Sequence, residues 1–135
     1  VVTWARENME ASDTDNIRWM VEDAFKFVQR EVRRGKKYNC IILDPPAYGR
    51  GPAGEKWILE EQLNVLLKSC AELLDPVHHV FILNLYSLGF SALMAENLVL
   101  DRFGKMANTE CGELFLADHK QRKLPLGIFY RFASV

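Results

Sequence analysis

Residues Tyr38 to Leu43 form a short apolar, β-forming run that ends abruptly in Asp44-Pro45-Pro46-Ala47-Tyr48-Gly49-Arg50-Gly51. A continuous apolar run of this length, bounded by turn residues, is the pattern of a strand buried on both faces of a parallel sheet. In open α/β sheets, ligands collect just beyond the carboxyl ends of the strands. Asp44 stands at that position. Pro45 and Pro46 fix φ and carry no N–H, so the turn is stiff and its carbonyls stay free to accept hydrogen bonds. Tyr48 adds a flat apolar ring with a polar tip, suited to lying against a planar ligand. Asp-Pro-Pro by itself is equally a strand end closed by an ordinary proline turn, so the context has to decide.

That context is alternation. Residues 1–11 show helical spacing of Val1, Val2, Trp4, Ala5 and Met9, followed by a polar turn at 12–16. Ile17 to Val21 predicts a short strand ending in Glu22-Asp23, and Ala24 to Arg34 an amphipathic helix closed by Gly35. After the Asp44 strand, residues 45–56 predict a Pro/Gly loop, long for a simple connection, and such loops are often functional. A helix over 57–74 stops at Asp75-Pro76, a buried strand spans 79–85, and a helix spans 89–102. Two final strands, 110–117 and 128–133, flank the polar loop 118–125. The order α, β, α, β, α, β, α, β, β predicts an α/β fold, a parallel sheet with an antiparallel strand pair at one edge.

The bulk numbers set limits. The chain has 135 residues, enough for one core and too few for two. Its net charge of −1 gives no global basic field, so any nucleic-acid contact must come from local clusters. Three widely spaced cysteines, Cys40, Cys70 and Cys111, fit neither a disulfide framework nor a zinc site and point to a reducing, cytoplasmic setting. His78 and His79 open a strand with no acidic or cysteine partner at ligand spacing, so no metal site is expected. No apolar run approaches about 18 residues, and no membrane association is expected.

With Asp44-Pro45-Pro46-Ala47-Tyr48 at the fourth-strand position of this order, the chain resembles class I S-adenosylmethionine-dependent methyltransferases. More narrowly, it resembles the bacterial large-subunit rRNA methyltransferases whose fourth strand ends in Asp-Pro-Pro-x-Phe/Tyr. The resemblance implies a Rossmann-like sheet and S-adenosyl-L-methionine as cofactor. It also implies that Asp23, ending strand three, accepts a hydrogen bond from the cofactor's adenine amine, with Ala24 and Phe25 adding a backbone amide and apolar contact. An ionised carboxylate is acceptor-only and suits that donor; Asp23 is equally a helix cap. The glycine-rich loop after strand one and the acidic residue ending strand two have no counterpart in the sequence. The resemblance places both ahead of Val1, which implies that strands one and two are missing and that residues 1–135 are the C-terminal portion of one catalytic domain.

Methyl transfer from a sulfonium is an in-line displacement in which the enzyme supplies alignment and a fitted polar environment. For an exocyclic amine, Asp44 and the Pro45 carbonyl would accept the amine hydrogens while Tyr48 stacks on the base, and Asp44 also borders the cofactor. C5-methylation of cytosine would need a cysteine nucleophile. The related enzymes keep theirs after strand five, where this chain reads Asn84-Leu85-Tyr86-Ser87. Cys40 reads as strand core, and Cys70 and Cys111 as structural. Pro46, Tyr86 and Ser87 are expected to line the substrate pocket, and Arg50 and Lys56 to hold phosphates of an RNA substrate, most naturally rRNA. The basic run Arg30 to Lys37 and the trio Lys120, Arg122 and Lys123 read as solvated surface. Two alternatives stay open: a nucleotide-hydrolase fragment, with Asp44 as a magnesium ligand, and a non-catalytic interaction domain. The sequence is silent on oligomeric state.

Overall fold

The structure, a computed structural model, describes residues 2–51, 54–87 and 89–134. Val1 of the expected first helix and Pro52 and Ala53 of the expected loop lie outside the described residues. The elements in chain order are α1 (Val2–Ala11), α2 (Ala24–Arg33), β1 (Cys40–Leu43), β2 (Tyr48–Arg50), β3 (Lys56–Ile58), α3 (Leu59–Leu73), β4 (Val80–Leu85), α4 (Ala92–Phe103), β5 (Glu110–Ala117) and β6 (Lys123–Ala133).

Four strands form one sheet in the order β1-β4-β6-β5. β1 and β4 run parallel, Cys40 opposite Val80 and Leu43 opposite Leu83. The C-terminal pair is antiparallel as expected, and β6 also runs antiparallel to β4. The period of two places Phe81, Leu83 and Leu85 on one face, directly opposite Phe132, Tyr130 and Ile128, and all six are buried. Phe81 stacks on Phe132 at 5.2 Å between centroids, and Phe103 closes on Phe81 at 4.6 Å. Leu59, Leu63, Leu66, Leu67 and Cys70 recur at helical spacing along α3 and join this core, as do Ala95 and Val99 from α4.

Local chemistry sets most boundaries. Ser91 caps α4 by accepting from the Met94 amide, so the helix begins at Ala92 and not at Gly89. Gly35, at φ +63°, ends α2 as the sequence predicts. Asp75 Oδ1 accepts from the Val77 and His78 amides, a local turn that stops the chain between α3 and β4.

Three expectations are corrected. Residues 17–21 do not form a strand, and Ile17, Met20 and Val21 are exposed. A ladder needs a neighbouring strand to satisfy its backbone groups, and none of the described strands runs beside this segment. Residues 45–56 are not simply a loop, because β2 and β3 form a small antiparallel hairpin that also takes Trp57 and Ile58 from the expected start of α3. Cys40 is exposed and not core, since β1 is the edge strand of the sheet.

Candidate active site

β1 delivers Asp44 at the carboxyl end of the sheet, beside the end of the parallel strand β4. A cavity of about 360 Å³ opens there. Its walls come from the start of α2 (Asp23, Ala24, Phe25), from β1 and the turn (Ile42 to Pro46), and from Trp57 and Leu66. Asp23 and Asp44, twenty-one positions apart in sequence, thus border one space. All four residues expected to bind a cofactor, Asp23, Ala24, Phe25 and Asp44, are in it. So are Pro45 and Pro46. Leu43, Phe25 and Leu66 make it largely apolar, with the two carboxylates as its polar features, which is the usual composition of a small-molecule site.

Asp23 has a structural role as well. Its Oδ1 accepts from the Lys26 amide at 2.9 Å and caps α2. Its other oxygen takes no hydrogen from the described residues, so cap and ligand contact are compatible. Glu22 is committed elsewhere: both of its oxygens accept from Arg30, an arrangement that holds its carboxyl below the usual range.

The turn after Asp44 is held from outside. Trp57 Nε1 donates to the Pro46 carbonyl at 2.6 Å, and the Leu59 amide donates to the Ala47 carbonyl at 3.1 Å. Pro46 O is therefore occupied, while the Pro45 carbonyl meets no donor among the described residues. Tyr48 is about half exposed; its hydroxyl accepts from Arg50 Nε at 2.5 Å, and its ring carries that guanidinium 5.9 Å from the centroid.

Arg50 and Lys56 are cross-strand partners in the β2–β3 hairpin. They line a second cavity of about 350 Å³ that shares Asp23, Phe25 and Trp57 with the first. Like charges directly opposite each other weaken a hairpin. Glu55 ties this hairpin to α2 by accepting from Lys26 Nζ at 2.8 Å and raises the lysine's pKa. Tyr86 and Ser87, at the end of β4, lie at the same end of the sheet but line a separate depression of about 230 Å³, with Phe90, Glu113 and residues 125–128.

Trp57 is the residue that the sequence reading missed. It sits at the wall between two cavities and fixes the Pro46 carbonyl. A tryptophan two residues ahead of a buried helix start, just after a Gly/Lys turn, was the available signal. None of the three cysteines lines the Asp44 cavity. Cys70 is buried in α3 with its thiol pushed up to about 12 by desolvation.

No family model matches the chain, and no curated protein matches it. Solved structures do. A SAM-dependent methyltransferase from Agrobacterium tumefaciens superimposes with a TM-score of 0.88 at 34% identity, over 99% of this chain and 46% of that one. A protein described as a methyltransferase complexed with SAH gives 0.74 at 18% identity, over 95% of this chain and 35% of its own. A protein from Streptococcus mutans described as a SAM-dependent methyltransferase gives 0.68 at 17%, over 93% and 33%. The chain thus spans less than half the length of each of these proteins, and across that span its fold is the Rossmann-like fold of SAM-dependent methyltransferases.

Proposed function

We propose that this chain supplies the acceptor side of an S-adenosylmethionine-dependent methyltransferase that modifies a nucleobase, most naturally in rRNA. The observation that carries the reading is the shared cavity in which Asp23, Ala24 and Phe25 meet Asp44 and Pro45 at the carboxyl end of β1. The donor set fits the adenosine part of the cofactor: a carboxylate oxygen for an amine, and flat apolar walls for a ring. The bound cofactor would supply an electrophilic methyl group. The residues of this chain orient what receives it.

Asp44 and the free Pro45 carbonyl accept the two hydrogens of an exocyclic amine and so turn its lone pair away from them. Tyr48 covers the base from one side. Trp57, by holding the Pro46 carbonyl, keeps the two acceptors in register, and alignment of this kind accounts for a large part of a displacement barrier. Arg50 and Lys56 sit where a strand's phosphates would relieve their mutual repulsion, with Tyr86 and Ser87 lining the route along the sheet end. Amine methylation is favoured over the C5 route because no thiol borders the cavity. The reading extends to domain organisation: residues 1–135 form the C-terminal portion of the catalytic domain, and the open edge of β1, with Ile42 63% exposed, takes the remaining strands.

Calorimetric titration of the full-length protein with S-adenosylmethionine and with ATP tests the class. The expected result is binding of the methyl donor and none of ATP; the reverse would establish a nucleotide hydrolase in its place. Asp44→Ala should abolish methyl incorporation into rRNA while the donor's Kd stays within a few-fold. Turnover that survives this substitution would make Asp44 structural.

A further inference from the structure

β5 and β6 run beyond the sheet that they belong to. β6 pairs with β4 only from Ile128 to Ala133, while its pairing with β5 continues through Gly127, Pro125, Leu124 and Lys123. The register with β4 places this extension past Leu85, at the same carboxyl end as Asp44. Residues 113–117 and 119–126 are all exposed, so both faces of the ribbon are free of the core. The contrast with Ile128, Tyr130 and Phe132, which are buried, marks where the sheet stops and the arm starts. Gly127 fixes that root: at φ +146° it lets β6 pass so close to β4 that a Cβ would stand 2.6 Å from the Leu85 carbonyl oxygen.

The arm carries a defined chemistry. Leu116 and Leu124 are opposite each other and about 60% exposed, and Phe115 is about half exposed with Lys123 Nζ 4.2 Å over its ring. The tip holds Lys120, Arg122 and Lys123 against one carboxylate, Asp118. Asp118 is consumed by the turn, accepting from the Lys120 and Arg122 amides and from the Arg122 guanidinium. Lys120 and Lys123 are therefore the arm's cations whose side chains make no ion pair among the described residues, and Glu113 is the acidic residue at its root. Pro125 and Leu126 at that root line the same depression as Tyr86 and Ser87. A basic tip, an aromatic and apolar flank, and a root continuous with the acceptor end of the sheet suit a polyanion whose bases have apolar faces.

We propose that the β5–β6 arm is a second RNA contact, gripping the strand whose target base lies at Asp44. The proposal rests on the nucleobase reading above. Lys120 and Lys123 neutralise phosphates of the flanking nucleotides, and Phe115 and Leu116 give their bases a surface to lie on. Affinity for the acceptor then depends on nucleotides that never enter the active site.

The test is fluorescence anisotropy of the full-length protein with a labelled single-stranded RNA oligonucleotide, across a salt series, alongside calorimetry with S-adenosylmethionine. Lys120→Gln/Lys123→Gln is compared with Arg33→Gln/Lys36→Gln, which alters exposed cations at the other end of the sheet. The arm variant should lose about tenfold in RNA affinity and flatten the log–log salt slope by about 1.4, the release expected for two single-strand phosphate contacts. The control should change by less than about twofold, and neither should move the methyl-donor Kd. If the wild type binds RNA and the arm variant matches it, the arm proposal is overturned and the nucleobase reading stands. If the wild type binds the methyl donor but no RNA, the nucleobase reading fails and takes the arm proposal with it.

Discussion

Trp57→Phe separates alignment from packing at the proposed acceptor site. The substitution keeps an aromatic ring at the wall between the two cavities and removes one donor, the indole N–H that holds the Pro46 carbonyl at 2.6 Å. A neutral hydrogen bond of this kind contributes about 0.5–1.5 kcal/mol net. The smaller ring forfeits a few tens of Å² of apolar contact, adding less than about 1 kcal/mol at about 25 cal/mol per Å². Thermal unfolding followed by circular dichroism should therefore fall by about 3–6 °C, a shift that leaves the protein folded at assay temperature. The effect on transfer should be larger in proportion. Release of Pro46 frees the turn that carries Asp44 and the Pro45 carbonyl, and a misplacement of about 1 Å can cost up to about a hundredfold in rate. Labelled-methyl incorporation should show kcat/KM reduced by about tenfold or more, with the methyl donor's Kd within a few-fold. A lowered melting temperature with unchanged kcat/KM would refute the reasoning, because Trp57 would then be packing alone. No change in either would mean that the hydrogen bond contributes nothing.

Replacing Cys40, Cys70 and Cys111 together with alanine or serine should leave methyl incorporation in place, although the buried Cys70 will lower stability; lost activity with a trapped covalent RNA adduct would revive the C5 mechanism. The buried Glu31 accepts from Tyr38 Oη at 2.9 Å and Arg34 Nη1 at 3.0 Å, and the Tyr38 hydrogen bond leads the effects that hold its carboxyl below 4.5. Its folded pKa is depressed, so its contribution to stability is complete above about pH 4.5 and is lost as pH falls through the folded value. Denaturant midpoints should drop as pH falls below about 4.5 in the wild type and less so in Glu31→Gln, with parallel curves counting against the assignment.

The sequence exposed what depends on neighbours along the chain and hid what depends on neighbours across it. Phe81, Leu83 and Leu85 declare β4 because both the period and the bounding turns are local. Asp44 declares a candidate site for the same reason: its strand, its prolines and its aromatic are contiguous. Ile17 to Val21 has equal β character and forms no strand, since propensity cannot supply a ladder partner. The β2–β3 hairpin was hidden by Gly49, Gly51 and Gly54, which signal a loop wherever they occur, whereas its pairing is fixed by Trp57 packing over Gly49 and by Glu55 reaching Lys26. Pro125 argues against a strand, yet it falls next to the register shift between Leu114 and Phe115 and outside the reach of β4, where the ladder asks no donor of it. Asp23 was legible as a helix cap, and its bond to the Lys26 amide bears that out. Only the fold brings it to the cavity of Asp44.

The Glu31, Tyr38 and Arg34 cluster has a mechanical consequence. It ties the last turn of α2 to the entry of β1, at the end of the sheet away from the cavity. Asp23 and Asp44 then sit at the far ends of two arms joined at this base, with the Lys26–Glu55 pair and the Trp57–Pro46 bond as lighter ties beside the cavity. With a helix of ten residues, the longer arm is about 15 Å. A tilt of about 4° at the base moves its tip by about 1 Å, the displacement at which catalytic alignment starts to fail. A substitution at Glu31 or Tyr38 would then shift Asp23 relative to Asp44 without touching either one, from a polar contact at the opposite end of the helix.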